Sequence, residues 1–424
     1  MKIGIWGLGY IGLTTGMAYA SRGVEVFGYD PDPDVHQLVR VGKVPQPNIE
    51  SWTQTNLKEL VDEGLIQVVN YKRLLEPDIE YQFICVPTEK LGEPTNEYLE
   101  DVLKKLSDAH DRKIVIIEST LIPGTAEKLL TKHLIAVAPR RDFFESPEKN
   151  IKTLPRVYAC AYRSSADKIR EILSVVCDKL IEAPSLKEAE LVKSVENSLL
   201  YLPVVYAMQL SKAYPDVDIR RVLQLASTHW RIPLYYPSIG TSGYCIPTSP
   251  KYVIKGSMMS DELALLKLAM NEEVRFTRYI TRTLRPYKDI AVLGIAYKPD
   301  LKVHKGSAAL TILRGLADLD PTPLVHDPYY TSEELKAITG FACPMKYPEN
   351  LQTCRAVLVA TAHKRYVRTP IDTLLKYLGK CELIIDNTGA WEQHRARFKE
   401  KRIRYWIVGE ARTPGEYLSL NELK

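Results

Sequence analysis

The chain opens on "KIGIW", a short apolar run of buried-strand type, and passes without a break into "GLGYIG" and the helical pattern "IGLTTGMAYASRG". Few sequences tolerate that juxtaposition unless the strand turns sharply into a helix beside it. Gly7, Gly9 and Gly12 form a GxGxxG pattern. The first glycine permits the tight turn and the second lets a pyrophosphate approach the backbone. The third allows close helix–strand packing, and the helix N-terminus receives the negative charge. Tyr10 and Ile11 complete the turn, and Asp30 ends the next apolar run, "VEVFGYD", 18 residues beyond Gly12. A carboxylate there accepts from ribose hydroxyls and repels a 2′-phosphate, which points to NAD over NADP. The expected cofactor contacts are therefore Gly7, Gly9, Tyr10, Ile11, Gly12 and Asp30.

The rest of the first third keeps the rhythm. "YQFICVPT" and "KIVIIEST" read as strands and "YLEDVLKKLSDAH" as a helix, so βαβ units and a parallel sheet are expected. From 181 to 285 the pattern turns helical. "SLKEAELVKSVENSLLYLPVVYAMQLSKAY" keeps helical spacing with Pro203 its only breaker, and "ELALLKLAMNEEVRFTRYITRTL" is a second long helix. After "RPYKD" strands return as "IAVLGIAY", "TPLVHDP", "AVLVATA" and "LIIDNTG", separated by helices such as "SAALTILRGLADL". The expectation is an α/β chain with two Rossmann-like doubly wound domains, at 1–180 and 286–424. A central helical domain at 181–285, carrying a long helix, joins them.

Composition narrows the partners. The net charge of +5, from 57 basic and 52 acidic residues, is too mild for a nucleic-acid binder. The basic run "HRARFKEKRIRYW" reads as a solvated helix face, with an anion or nucleic-acid patch as the lesser reading. Seven cysteines, at 85, 160, 177, 245, 343, 354 and 381, show no CxxC spacing, so no metal site and no disulfide framework is expected. Free thiols fit a reducing cytoplasm. No signal or membrane-spanning pattern is read, so the protein is expected to be cytoplasmic, with no membrane partner.

Cys245 is the conspicuous thiol. It lies in "YYPSIGTSGYCIPTSPKYV", a loop rich in Gly, Ser, Thr and Pro, which favours exposure over core packing. Elsewhere, "AELVKSVENSLL" places Lys193 and Asn197 four apart, on one face of a helix. A lysine lowers the pKa of a nearby thiol, and an asparagine amide donates to an oxyanion.

Taken together, "GLGYIGLTTG", "ICVPT", "GEPTNEYLEDV", "ESTLIPGT", "AELVKSVENS", "GTSGYCIPTSPKYV", "VLGIAYKPDLK", "GSAALTIL", "VHDP" and "TAHKRY" resemble, in order and spacing, the UDP-glucose/GDP-mannose dehydrogenase family. The resemblance covers essentially the whole chain. "ENSLLYLPVVYAMQLSKAY", "HWRIPLYYP" and "DNTGAW" resemble the branch that oxidises UDP-N-acetylhexosamines. It implies a four-electron oxidation of a sugar C6 alcohol to a carboxylate with two NAD⁺, through a thiohemiacetal and a thioester on Cys245. Lys193 and Asn197 then match positions that stabilise the oxyanion and hold water. Thr120 matches a residue at the nicotinamide and reaction centre, and Thr88 one along the cofactor. Arg231, Tyr236, Gly240, Gly243, Lys298 and Lys305, with Lys193 and Asn197, match the UDP-sugar site. A homodimer through the long central helix is also implied.

The sequence departs from the family pattern at several of these places. The Asp usual four residues after the cysteine is Ser249, and the histidine common before the cysteine is Tyr244. The Glu of the "PE" motif aligns with Arg140, with Asp142 or Glu145 as substitutes after a small shift. "DD-x-RES" reads "KVHKGS", with Lys305 for the Arg and Gly306 for the Glu, and Leu268 stands for an Arg. Losing a carboxylate near a thioester removes a general base, a loss on the order of 10²–10⁴-fold. Three other readings stay open: a member with impaired hydrolysis, a protein that only binds NAD and nucleotide sugar, and a 3-hydroxyacid or 6-phosphogluconate type of dehydrogenase. The last class uses a Lys–Asn pair without a thiol.

Overall fold

A computed structural model describes residues 1–129, 132–143, 148–341 and 345–412. Cys343 and Glu145 lie outside the described residues. The chain divides into two compact units. The first holds residues 1–197 and 248–262, the second 198–247 and 263–424.

The first unit is built on eight strands: β1 (Lys2–Trp6), β2 (Glu25–Tyr29), β3 (Ile66–Val68), β4 (Tyr81–Ile84), β5 (Ile114–Ile117), β6 (Leu134–Val137), β7 (Arg156–Cys160) and β8 (Leu180–Glu182). Their order is β8-β7-β6-β5-β4-β1-β2-β3. From β3 to β6 this is the 3-2-1-4-5-6 order of a dinucleotide fold, all parallel. β7 then pairs antiparallel with β6, and β8 parallel with β7. Ile3, Ile5, Phe83, Ile114 and Ile116 are fully buried, as a sheet covered on both faces demands. The helix Tyr10–Ala20 is apolar nearly all round and correspondingly buried from Gly12 onward.

The second unit carries a five-stranded parallel sheet of β9 (Ile290–Leu293), β10 (Leu324–His326), β11 (Ala356–Val359), β12 (Leu383–Asp386) and β13 (Arg404–Ile407). Its order is β10-β9-β11-β12-β13. That is 2-1-3-4-5 within the unit, the other common doubly wound order. The two sheets share a principle but not a topology.

The expected long helix runs from Leu186 to Ala213 and continues through Pro203. Residues 186–197 belong to the first unit and 198–213 to the second. The second long helix is Ala264–Leu284. The basic run near the C-terminus is not one solvated helix face. It splits into a helix, Arg395–Glu400, and β13. Two of its charges are paired within the unit, Arg395 with Glu410 and Arg397 with Asp372. A strand was hidden there because Tyr405, Trp406 and Ile407 follow four cations in six residues.

Candidate active site

In the first unit the glycine turn is dictated by contact. Gly7 has φ +91°, and a Cβ on it would meet the Cys85 carbonyl oxygen at 2.7 Å. A Cβ on Gly12 would lie 1.8 Å from the Gly7 carbonyl oxygen. Gly9, by contrast, faces open space and caps the Tyr10–Ala20 helix without a side-chain partner for its first N–H groups. That is a cradle suited to a phosphate. Asp30 follows β2 and accepts from the Leu8 N–H (2.7 Å) through Oδ2 and from the Asp32 N–H (2.9 Å) through Oδ1. It thereby aims its remaining lone pairs beside the turn. The residues present fit a dinucleotide.

Thr88 and Thr120 are brought together: the Thr88 hydroxyl donates to the Thr120 carbonyl. The buried Tyr252 hydroxyl donates to the Thr88 carbonyl oxygen at 2.5 Å and lies 2.9 Å from its hydroxyl. Tyr252 belongs to the helix Ser249–Gly256, whose Lys251 and Lys255 donate to the Gly92 (2.7 Å) and Pro94 (2.8 Å) carbonyls of the hairpin Glu89–Pro94. The first residue of this helix is Ser249. Its hydroxyl accepts from the Asn197 amide at 3.0 Å, and both residues are buried. Lys193 lies one turn before Asn197, half-buried, with no hydrogen-bond or ion-pair partner among the described residues.

Glu190, one turn earlier still, escaped the sequence reading. Its buried carboxylate accepts from the N–H groups of Gly124 (2.5 Å) and Ala126 (2.7 Å), tying down the "STLIPGT" loop that carries Thr120. Burial pushes its pKa up to about 7 despite those donors. Arg140, expected from the sequence to stand where the family pattern has a glutamate, carries a buried guanidinium. Arg140 grips Asp142 through two bonds, of 2.7 and 2.6 Å, and donates to Thr15 at 2.6 Å. Burial opposes the charge of Asp142, but Arg140 holds its carboxyl below the ordinary range. The Asp142 carboxylate is thus committed to an ion pair, so it does not stand in as a free base.

In the second unit, Cys245 is exposed, the only one of the described cysteines that is. Burial raises the thiols of Cys354 to about 11 and of Cys160 and Cys381 to about 12. The loop before Cys245 is held at successive points. Asn387 Oδ1 accepts from the Ile239 N–H (2.9 Å) and the Ser238 hydroxyl (3.1 Å). Gly240 sits where a Cβ would meet the Ala308 Cβ at 2.6 Å. The Gly243 N–H donates to the Gly306 carbonyl at 3.0 Å, and the Ala308 N–H to the Ser242 hydroxyl at 3.1 Å. Lys305 lies over the Tyr244 ring.

Lys298 follows β9 on a loop fixed by residues that the sequence named only as motifs. Buried Asp327 accepts from the N–H groups of Ile295 (2.9 Å), Ala296 (3.1 Å) and Tyr329 (3.0 Å). His363 Nδ1 accepts from the Asp300 N–H at 2.9 Å, so its proton is on Nε2, which donates to Asp327 at 3.1 Å. Burial opposes the charge, but these donors hold Asp327 below the usual carboxylate range. Tyr236 accepts from Gln224 at 2.8 Å and lies under Arg220. Arg231 is stacked on the exposed ring of Trp230.

Three family comparisons match in order along the chain. All carry the description UDP-glucose/GDP-mannose dehydrogenase family: its NAD binding domain at residues 1–151, its central domain at 187–273 and its UDP binding domain at 291–393. Among curated relatives, a UDP-N-acetyl-D-mannosamine dehydrogenase of Pyrococcus horikoshii is 26% identical over 417 residues, covering 91% of this chain and 95% of that protein. Another of the same name, from Methanocaldococcus jannaschii, is 28% identical over 441 residues and covers 97% of each. Among solved structures, the UDP-D-ManNAc dehydrogenase from Pyrococcus horikoshii superposes with a TM-score of 0.83 at 24% identity, over 96% of this chain and 99% of that one. A UDP-glucose dehydrogenase from Pyrobaculum islandicum gives 0.80 at 21% identity, over 97% and 98%.

Proposed function

Because the chain belongs to the UDP-glucose/GDP-mannose dehydrogenase family, matched in order by its three domains, we propose that it oxidises the C6 hydroxyl of a UDP-hexose to the uronic acid. It is an NAD-dependent oxidoreductase. A UDP-N-acetylhexosamine is the favoured substrate, with UDP-glucose next, in keeping with the names of the relatives. The observation that carries the reading is Cys245: an exposed thiol on a loop pinned by backbone bonds, where none of the other described cysteines is exposed.

NAD⁺, when bound, would supply the hydride acceptor for both oxidations, of the C6 alcohol to the aldehyde and of the thiohemiacetal to the thioester. The chain's own residues do the rest. Gly9 and the first-turn N–H groups hold the pyrophosphate, and Asp30 the ribose. Lys193 and Asn197 stabilise the oxygen that gains charge when the Cys245 thiolate adds to the C6 aldehyde, and Thr120 lies at the reacting carbon. Adding the thiolate splits one difficult oxidation into two easier steps. Water then cleaves the thioester, freeing the acid and restoring the thiol. Lys298, Lys305, Arg231, Tyr236, Gly240 and Gly243 receive the UDP-sugar, the cations opposing its diphosphate.

Residues 1–180, 181–285 and 286–424 are assigned as the NAD, central and UDP-sugar domains. Leu199, Leu200, Tyr206, Leu265 and Leu268 expose apolar surface on the two long helices, which a homodimer would cover. No described helix is long and apolar enough to cross a membrane. The setting proposed is cytoplasmic.

A second reading is favoured by one contact. Where a carboxylate is usual, the Asn197 amide meets the Ser249 hydroxyl, and hydrolysis of the thioester would be slow. NADH absorbance with NAD⁺ and, separately, UDP-GlcNAc, UDP-ManNAc and UDP-glucose tests the proposal. Steady formation with one of them supports it. A burst that stalls favours the second reading, and no NADH from any of the three contradicts the proposal.

A further inference from the structure

We propose that Glu273 is the positioning residue of the Cys245 loop, its carboxylate fixing the backbone on which the thiol is presented. The inference rests on Cys245 being the reactive thiol. Glu273 lies half-buried on the helix Ala264–Leu284. Its Oε1 accepts from both the N–H and the hydroxyl of Thr241, each at 2.6 Å. Its Oε2 accepts from the Tyr201 hydroxyl at 2.8 Å, and Tyr201 is fully buried. One turn on, Thr277 donates to the Ile239 carbonyl at 2.9 Å. A single helix face therefore sets residues 239 and 241.

The two residues after Thr241 show why a firm anchor is needed. Ser242 has φ +52° and Gly243 φ +91°, two left-handed residues in succession. A serine there is strained, and such strain persists only where neighbouring contacts over-determine the backbone. Downstream the chain is held by Gly306 and Ala308. Upstream, Thr241 is the nearest anchored residue, and both of its polar groups end on one carboxylate oxygen. Cys245 follows four residues later. Ile246 packs on the Tyr201, Val205 and Ala269 cluster, so the ring that meets Glu273 also backs the residue beyond the thiol. Glu273 acts on the thiol through the loop it fixes at Thr241.

Glu273→Ala and Glu273→Gln separate this from a general structural role. Glutamine keeps an oxygen for Thr241 and places an amide where Tyr201 can accept. Hydrogen exchange is followed in peptides covering 238–247, with β9 as internal control, alongside NADH kinetics. The alanine variant should exchange at least about tenfold faster in 238–247 only, and lose about 10–100-fold in kcat with KM for the sugar nucleotide within twofold. The glutamine variant should behave like the parent. Parental exchange in the alanine variant overturns the proposal. So does equal damage in both variants, or a change confined to KM. If the alanine variant does not fold, Thr241→Val takes its place: a few-fold acceleration in 238–247 supports the clamp and none overturns it. A parent protein that forms no NADH defeats the dehydrogenase reading, while the exchange results still decide the clamp.

Discussion

The Lys305 ammonium lies 4.8 Å from the centroid of the Tyr244 ring, the residue that precedes Cys245. Next to it, Gly306 has φ +74° and leaves room for the Gly243 carbonyl, which a Cβ would meet at 2.3 Å. Tyr244, Lys305 and Gly306 are three of the places where the sequence reads as departing from the family pattern. The structure brings them together around the thiol loop, where a cation on an aromatic face contributes about 0.5–1 kcal/mol.

Placing a glutamate at Gly306 alone should therefore harm the protein. Gly306→Glu places a side chain on a left-handed backbone and against a carbonyl, at about 1–3 kcal/mol for the backbone conformation before the clash is added. Thermal unfolding should show a clear fall in Tm. A variant as stable as the parent would mean that the loop contacts of Gly306 are not constraining.

Asp30 should govern cofactor choice. Its Oδ2 and Oδ1 take the Leu8 and Asp32 N–H groups and leave lone pairs for ribose hydroxyls. Hydrogen bonds to a charged group are worth about 1.5–3 kcal/mol, so Asp30→Ala should weaken NAD⁺ by roughly tenfold or more and narrow the preference over NADP⁺. Calorimetric titration with both dinucleotides reads this directly. Unchanged NAD⁺ affinity would remove Asp30 from the site.

Glu190 should make stability fall as pH rises toward neutrality. Its folded pKa is raised by burial from 4.5 to about 7, with Glu127 adding to the rise and the Gly124 and Ala126 N–H groups opposing it. Between those values the folded chain holds a proton that the unfolded chain has lost. The unfolded state thus binds fewer protons, and stability decreases with pH across that window. In Glu190→Gln the fall in Tm from pH 4.5 to pH 7.5 should be smaller than in the parent. An equal fall would place the titration elsewhere.

Ser249→Asp should restore a general base beside the Asn197 amide. That amide now donates to the serine hydroxyl at 3.0 Å and could donate to a carboxylate in its place. If thioester cleavage limits the parent, steady NADH formation should rise by about 100-fold or more, the 10²–10⁴-fold scale a positioned base provides. No gain would show that Ser249 is not the limitation.

Much of this was legible in the residues. β1, the glycine turn and Asp30 are read in order because local sterics alone dictate them. β7 and β8 were not. Arg156 opens β7 as a buried cation and is tolerated there because the buried Glu118 carboxylate pairs with it, a partner 38 residues away. β8 is three residues long, too short for a periodic signal. Lys193 and Asn197 follow from helical spacing. The Asn197–Ser249 contact spans 52 residues, and the Thr241–Glu273 contact 32, so no local pattern announces them. His363 and Asp327 were visible as motifs, yet their task of fixing the Lys298 loop appears only once β9 and β11 lie side by side.

The most direct measurement is a single-turnover reaction with NAD⁺ and the sugar that yields NADH, run with the parent and with Cys245→Ser. NADH and intact protein mass are read together. The expected result is two NADH per sugar in the parent, with a transient sugar adduct mapped to Cys245. The serine variant should show no adduct and no acid product. Release of the acid by Cys245→Ser at the parent's rate, with two NADH, would contradict the assignment of Cys245 as the nucleophile.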